Sequence, residues 1–247
     1  MNKYKTICIS DLHLGSRDCK AELLLDFLKH NQAENLFLLG DIIDGWKIQQ
    51  KKWKWDQNHT NVIRKILSHA KKGTNVHYIV GNHDEFLRNT LGLGLSFGLV
   101  KIHNHYEYIG LNGKKYLLIH GDLFDGILTY HRWISFLGDY LYELLLNLNT
   151  KFNWIRRRFG FGYWSLSRYV KLTVKSAVSF IVDFEKNMIG YCRRKGYDGV
   201  ICGHIHNPEI KIIENIEYMN DGDFVESCSA LVEDYDGNWS ILYWQQN

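Results

Sequence analysis

The chain has 247 residues, 45% hydrophobic, 14% aromatic and 23% charged, which excludes a disordered polymer and supplies apolar material for one α/β domain with an elaboration, or for two small domains. The net charge of +3 is too small to imply a nucleic-acid partner, so none is expected and any basic surface must be found locally. Five scattered cysteines, Cys8, Cys19, Cys192, Cys202 and Cys228, include no CxxC pair, as in a cytoplasmic protein with reduced thiols.

Lys5 to Ser10 (KTICIS) reads as a strand. The strand-like run starts at about Tyr4, which leaves no room for a secretory signal. No apolar stretch reaches the ~18 residues a spanning helix needs. Ala21 to His30 has the apolar period of a helix, and Leu36 to Leu39 is a second strand. Asn58 to Lys72 repeats apolar residues at Val62, Ile63, Ile66, Leu67 and Ala70, with Gly73 as its stop signal, and Val76 to Val80 is again a strand. This βαβαβ order predicts parallel strands with right-handed crossovers. Tyr116 to Ile119 and Gly199 to Cys202 read as further buried strands, and Ile216 to Trp244 as a β-rich closing unit.

Between Ile119 and Gly199 the pattern changes. Ile127, Tyr130, Ile134, Leu137, Leu141, Leu144, Leu145 and Leu148 fall at helical spacing, as do Leu166, Val170, Val174, Val178, Ile181, Phe184 and Met188. This predicts a pair of long helices inserted into the sheet domain. Their junction, Asn153 to Trp164, joins Arg156, Arg157 and Arg158 to aromatic residues. It is either a solvated turn or a surface for anionic membrane or lipid phosphate.

Five short segments follow five strand ends: Asp11-Leu12-His13, Gly40 to Asp44 (GDIID), Gly81-Asn82-His83-Asp84, His120-Gly121-Asp122 and Gly203 to His206 (GHIH). Ligand sites of parallel sheets form outside the carboxyl ends of the strands, so the topology gathers these segments into one crevice. Carboxylates, imidazoles and an amide oxygen, with no thiolate, suit intermediate divalent metals. The seven candidates Asp11, His13, Asp41, Asn82, His120, His204 and His206 are too many for one ion and account for two ions bridged by a carboxylate, for which Asp41 is the choice. Gly40, Gly81 and Gly203 fit tight turns. Asp44 and Asp122 either orient ligands or cap turns.

In order and content, DLH, GDIID, GNHD, HGD and GHIH resemble the signature of the calcineurin-like metallophosphoesterases. The resemblance runs from Asp11 to His206. It implies a β-sandwich flanked by helices, an α/β fold, with Asp11, His13 and His206 on one metal, Asn82, His120 and His204 on the other, and Asp41 between them. It further implies that His83, paired with Asp84, faces the phosphate as general acid or charge stabiliser. The helical insertion is similar to the lid of UDP-2,3-diacylglucosamine hydrolases, which release UMP and 2,3-diacylglucosamine 1-phosphate. Residues 1–122 with 196–247 would then form the catalytic domain and 123–195 the lid. This chain has His83 where the best-known branch of those enzymes has arginine, so a phosphodiesterase or phosphomonoesterase with another nucleotide or lipid substrate is the alternative. Asn82, Lys171 and Lys175 are candidate substrate contacts, the two lysines otherwise lying in solvent. The implied cofactors are two divalent ions, Mn²⁺ first, with Zn²⁺ or Fe²⁺ as alternatives. The implied partner is a lipid-linked nucleotide, met at the cytoplasmic face of the inner membrane.

Overall fold

In the computed structural model, residues 2–93, 98–124 and 166–244 are described. In chain order the elements are β1 (Asn2–Ile9), α1 (Ala21–His30), β2 (Asn31–Leu39), α2 (Gly45–Gln49), α3 (Gln57–Lys71), β3 (Asn75–Ile79), a 3-10 segment (Glu85–Leu93), β4 (Val100–His103), β5 (Tyr106–Ile109), β6 (Lys115–Leu118), a 3-10 turn (Asp122–Phe124), α4 (Leu166–Lys195), β7 (Gly199–Cys202), β8 (Glu209–Ile213), β9 (Ile216–Asn220), β10 (Ser229–Glu233) and β11 (Trp239–Tyr243). The chain divides into two compact units, Met1–Asp122 with Met188–Asn247, and Leu123–Asn187.

The first unit holds two sheets. One is ordered β11-β10-β1-β2-β3-β4, the other β5-β6-β7-β9-β8. The crossovers predicted from βαβαβ give parallel pairing of β1 with β2 and of β2 with β3, and β4 extends the series in parallel. Alternation along β1 and β2 then builds two cores. Ile7, Ile9, Leu36 and Leu38 pack with Leu24, Phe27 and Leu28 of α1 and Val62 and Ile66 of α3. Cys8, Phe37 and Leu39, on the opposite face, pack with Tyr116, Leu118, Ile201 and Met219 of the second sheet. Strands buried on both faces read as continuous apolar runs, which is why these were legible in the sequence.

Helix ends follow local chemistry. The Asp56 carboxylate accepts from the backbone N–H groups of Asn58 (2.8 Å) and His59 (3.2 Å), while His59 Nδ1 accepts from the Asp56 N–H. This reciprocal cap starts α3 one residue earlier than its apolar period predicts. At its far end Gly73 takes φ +98°, as a stop signal should. In the last turns of α4, Met188, Ile189 and Cys192 are buried. The helix predicted over Ile127–Leu148 and the Arg156–Arg158 junction lie outside the described residues. Lys171 and Lys175 lie on α4 where the side chains are outside the described part. Among the described residues no helix is long and apolar enough to cross a membrane.

Candidate metal centre

Five turns leave parallel strands: β1, β2 and β3 of the first sheet, β6 and β7 of the second. Each carries its candidate ligands two to four positions beyond the strand, so both sheets contribute to one cluster. The turns are joined by backbone bonds, Asp11 N–H to Gly40 C=O (3.0 Å), His13 N–H to Asp41 C=O (2.9 Å) and Gly203 N–H to His120 C=O (3.1 Å).

The predicted ligands meet. Asp11 Oδ1 lies 3.1 Å from His206 Nε2 and 3.8 Å from His13 Nε2. His120 Nε2 lies 3.2 Å from both Asn82 Oδ1 and His204 Nδ1. Asp41 turns one oxygen to each group: Oδ1 is 3.4 Å from His120 Nε2, and Oδ2 is 4.0 Å from His13 Nε2. Asp11, Asp41 and His120 are essentially inaccessible to solvent. The donor atoms of Asp11, His13 and His206, of His13, Asp41 and His83, and of Asp11, Asp41 and His120 each lie within 4.8 Å of one another.

Backbone conformation marks the same residues. Asp11, His13, Asp41, His204 and His206 all have positive φ, between 47° and 71°. Side chains rarely adopt this left-handed region, and such strain collects where function over-determines a position. Of the four motif glycines, Gly40 and Gly121 also have positive φ, at +90° and +127°, and Gly81 and Gly203 do not. Gly81 is required for another reason: a Cβ there would stand 2.2 Å from Asp41 Oδ1. Close approach, not turn conformation, excludes a side chain.

The electrostatics suit a cation. Burial works against charge on His13, but hydrogen bonding to Asp11 and Asp44 and the charge of Asp41 push its pKa up to about 10. Burial likewise opposes charge on Asp11, yet His206 and His120 hold it well below the carboxylate range. A nest of buried carboxylates that holds protons on imidazoles will exchange those protons for a divalent ion, because metal and proton compete for the same lone pairs. The ring nitrogens are oriented for it. His120 Nδ1 donates to the Leu39 carbonyl at 2.7 Å, which leaves the Nε2 lone pair of the neutral ring turned into the cluster. Nitrogen and oxygen donors without sulfur fit Mn²⁺, Fe²⁺ and Zn²⁺ alike.

Two expectations change. His83 does not pair with Asp84. Its Nδ1 is 2.9 Å from Asp44 Oδ1, and its Nε2 faces Asp41 Oδ2 at 3.8 Å. Asp84 is fully buried and accepts from Gly81 N–H (2.6 Å), Ile42 N–H (2.9 Å) and Tyr78 O–H (2.5 Å). It clamps the GNHD turn to the GDIID turn. The reason is geometric: adjacent side chains at His83 and Asp84 leave the turn in different directions, whereas Asp44 lies across from His83. Asp44 also stands 3.5 Å from His13 Nδ1 and caps α2 through the Lys47 N–H (3.1 Å), so it both faces a candidate ligand and caps a helix. Asp122 holds Arg88 by an ion pair of 2.7 Å.

Sequence reasoning missed Ser10 and the Asn220–Asp223 loop as parts of this site. Ser10 Oγ lies 2.5 Å from Asp11 Oδ2 and 2.7 Å from Asp221 Oδ1, and Asn220 Nδ2 donates to the Gly203 carbonyl at 2.7 Å. The loop thus props both the first and the last motif. Its polar residues were visible, but only the pairing of β9 with β7 brings them there.

Comparison with known proteins gives matches of three kinds. A family model described as calcineurin-like phosphoesterase matches residues 4–208. A protein named UDP-2,3-diacylglucosamine hydrolase from Histophilus somni (strain 2336) is 32% identical over 121 residues, 48% of this chain and 49% of that protein. The chain thus spans about half the length of that relative. A protein of the same name from Wigglesworthia glossinidia brevipalpis is 23% identical over 223 residues, 86% of this chain and 84% of its own length. Among solved structures, Vps29 complexed with Zn²⁺ from Entamoeba histolytica is similar with a TM-score of 0.46 at 11% identity, covering 97% of this chain and 99% of that one.

Proposed function

Because the chain belongs to the calcineurin-like phosphoesterase family, we propose that it is a two-metal phosphoester hydrolase whose substrate is UDP-2,3-diacylglucosamine or a related lipid-linked nucleotide. The observation that supports this most is the meeting of Asp11, His13, Asp41, Asn82, His120, His204 and His206 from five separate turns, with Asp41 turned to both halves. In this reading Asp11, His13 and His206 would hold one ion and Asn82, His120 and His204 the other, with Asp41 shared between the two groups. Bound there, the ions supply Lewis acidity toward phosphoryl oxygens and bring water to nucleophilic strength near neutral pH.

The chain's own residues do the rest. Water attacks the α-phosphorus in line and the bond from that phosphorus to the bridging oxygen breaks, so that UMP keeps the water oxygen and 2,3-diacylglucosamine 1-phosphate departs with the bridging oxygen. Asp44 Oδ1 accepts a hydrogen bond from His83 Nδ1–H, and the ring in its imidazolium form gives its Nε2 proton to the departing oxygen and is left neutral. Residues 123–195 act as the lid over the acyl chains, with Lys171 and Lys175 as phosphate contacts and Arg156–Arg158 on an anionic membrane surface. The similarity to two proteins named UDP-2,3-diacylglucosamine hydrolase supports the substrate. His83 in place of arginine favours keeping a second reading, another nucleotide or lipid phosphoester handled by the same centre.

Asp41→Ala and His204→Ala should each abolish Mn²⁺-dependent hydrolysis of bis-p-nitrophenyl phosphate. Full activity in either variant would overturn the two-metal reading. Release of UMP from UDP-2,3-diacylglucosamine, set against hydrolysis of simple nucleotides, decides between the two substrates.

A further inference from the structure

His83 is held by more than one hydrogen bond. The three residues Asp44-Gly45-Trp46, which open the short helix α2, all touch it. Asp44 Oδ1 lies 2.9 Å from its Nδ1, the Gly45 N–H donates to its carbonyl at 2.9 Å, and the Trp46 indole stacks on its imidazole with ring centroids 3.9 Å apart and planes 28° from parallel. Gly45 cannot be replaced without disturbing this grip, because a Cβ there would come 2.6 Å from the His83 carbonyl oxygen. On the other side the His13 ring meets the imidazole edge to face at 4.5 Å.

The two side-chain contacts constrain different things. A hydrogen bond to a carboxylate fixes where Nδ1 sits, but the torsion at an imidazole is broad and two-fold, so the plane of the ring stays loosely set. A face-to-face indole at 3.9 Å fixes the plane. With both in place, Nε2 has one direction, toward Asp41 Oδ2 at 3.8 Å.

We propose that Trp46 is a positioning residue for the reaction: its indole sets the plane of the His83 ring, so that Nε2 meets the leaving oxygen in line. The proposal rests on the reading that His83 serves the departing group. It assigns Trp46 no contact with substrate, which separates it from a role in stacking on a nucleobase.

The test uses the full-length Mn²⁺-loaded protein and two phosphodiesters without a base, one with p-nitrophenol and one with phenol as leaving group. Wild type, Trp46→Ala, Trp46→Phe, His83→Ala and the double variant Trp46→Ala/His83→Ala are compared in kcat and KM, with melting temperature and metal content as folding controls. Trp46→Ala should lower kcat about 10-fold or more on the phenyl ester, the scale of a misplaced catalytic group. The loss should be smaller on the p-nitrophenyl ester, whose leaving group needs less proton donation, and KM should hold. Trp46→Phe should recover most of the rate, and Trp46→Ala should add nothing in the His83→Ala background. Unchanged kcat in Trp46→Ala, a change in KM alone, or equal losses in both backgrounds would each overturn the role of Trp46. If His83→Ala itself turns over the phenyl ester at the wild-type rate, the reading of His83 fails first. The two failures are therefore told apart by the single variants.

Discussion

At the residue scale, Asp84 teaches the clearest lesson. The motif GNHD makes it the neighbour of His83, yet its two oxygens serve Gly81, Ile42 and Tyr78. Burial first, then the charge of Asp41, push its pKa up to about 6 despite these donors, a sign of how closely the carboxylates crowd. Asp84→Asn would turn an amide N–H toward one of three buried donors. We expect a loss of about 1–3 kcal/mol in a urea titration, the cost of one unsatisfied buried group. Asp44→Asn should act differently: it should cost turnover more than stability, because it weakens the hold on His83 Nδ1. Comparable losses of stability and unchanged kcat in that variant would count against the assignment. Gly81→Ala should also fail to bind metal normally, since Asp41 would have to move.

At the scale of elements, the edge of the first sheet carries a second histidine pair. His77 of β3 and His103 of β4 face each other at 3.1 Å between Nδ1 and Nε2. Burial, then the neighbouring His103 and Lys101, lower the pKa of His77 from 6.5 to about 4. The unfolded chain therefore binds a proton between about pH 6.5 and 4 that the folded chain refuses. Stability must rise with pH through that window and fall on acidification. Denaturation midpoints taken across it should show the slope, and His77→Gln should flatten it. Other elements were less visible in advance. α2 has five residues and β4 and β5 four each, too short for a periodic signal. α2 nevertheless carries Asp44 as its cap and Trp46 on its surface, so the least legible element holds the ring of His83.

At the scale of the molecule, the two sheets meet at their carboxyl ends through carboxylates from one and imidazoles from the other. Asp11 and Asp41 come from the first sheet, His120, His204 and His206 from the second, and the carboxylates stabilise the interface only when a cation answers them. Chelation with EDTA should accordingly lower the melting temperature, and added Mn²⁺ should restore it, by the linkage that stabilises a state able to bind. An unchanged melt across both conditions would mean that the centre binds no ion under those conditions.

The strands β1, β2, β3, β6 and β7 were legible in the sequence because runs buried on both faces are mostly apolar, and the candidate ligands were marked because each polar motif stands just past such a run. Only the tertiary structure decided which carboxylate serves which imidazole. Asp44 and His83 are 39 positions apart, Ser10 and Asp221 are 211 apart, and such pairs are set by which strands lie side by side. A motif fixes the chemical type of a side chain and its place at a strand end. The direction in which that side chain leaves its turn depends on backbone that neighbouring turns constrain, so Asp84 became a clamp and Asp44 the partner of His83.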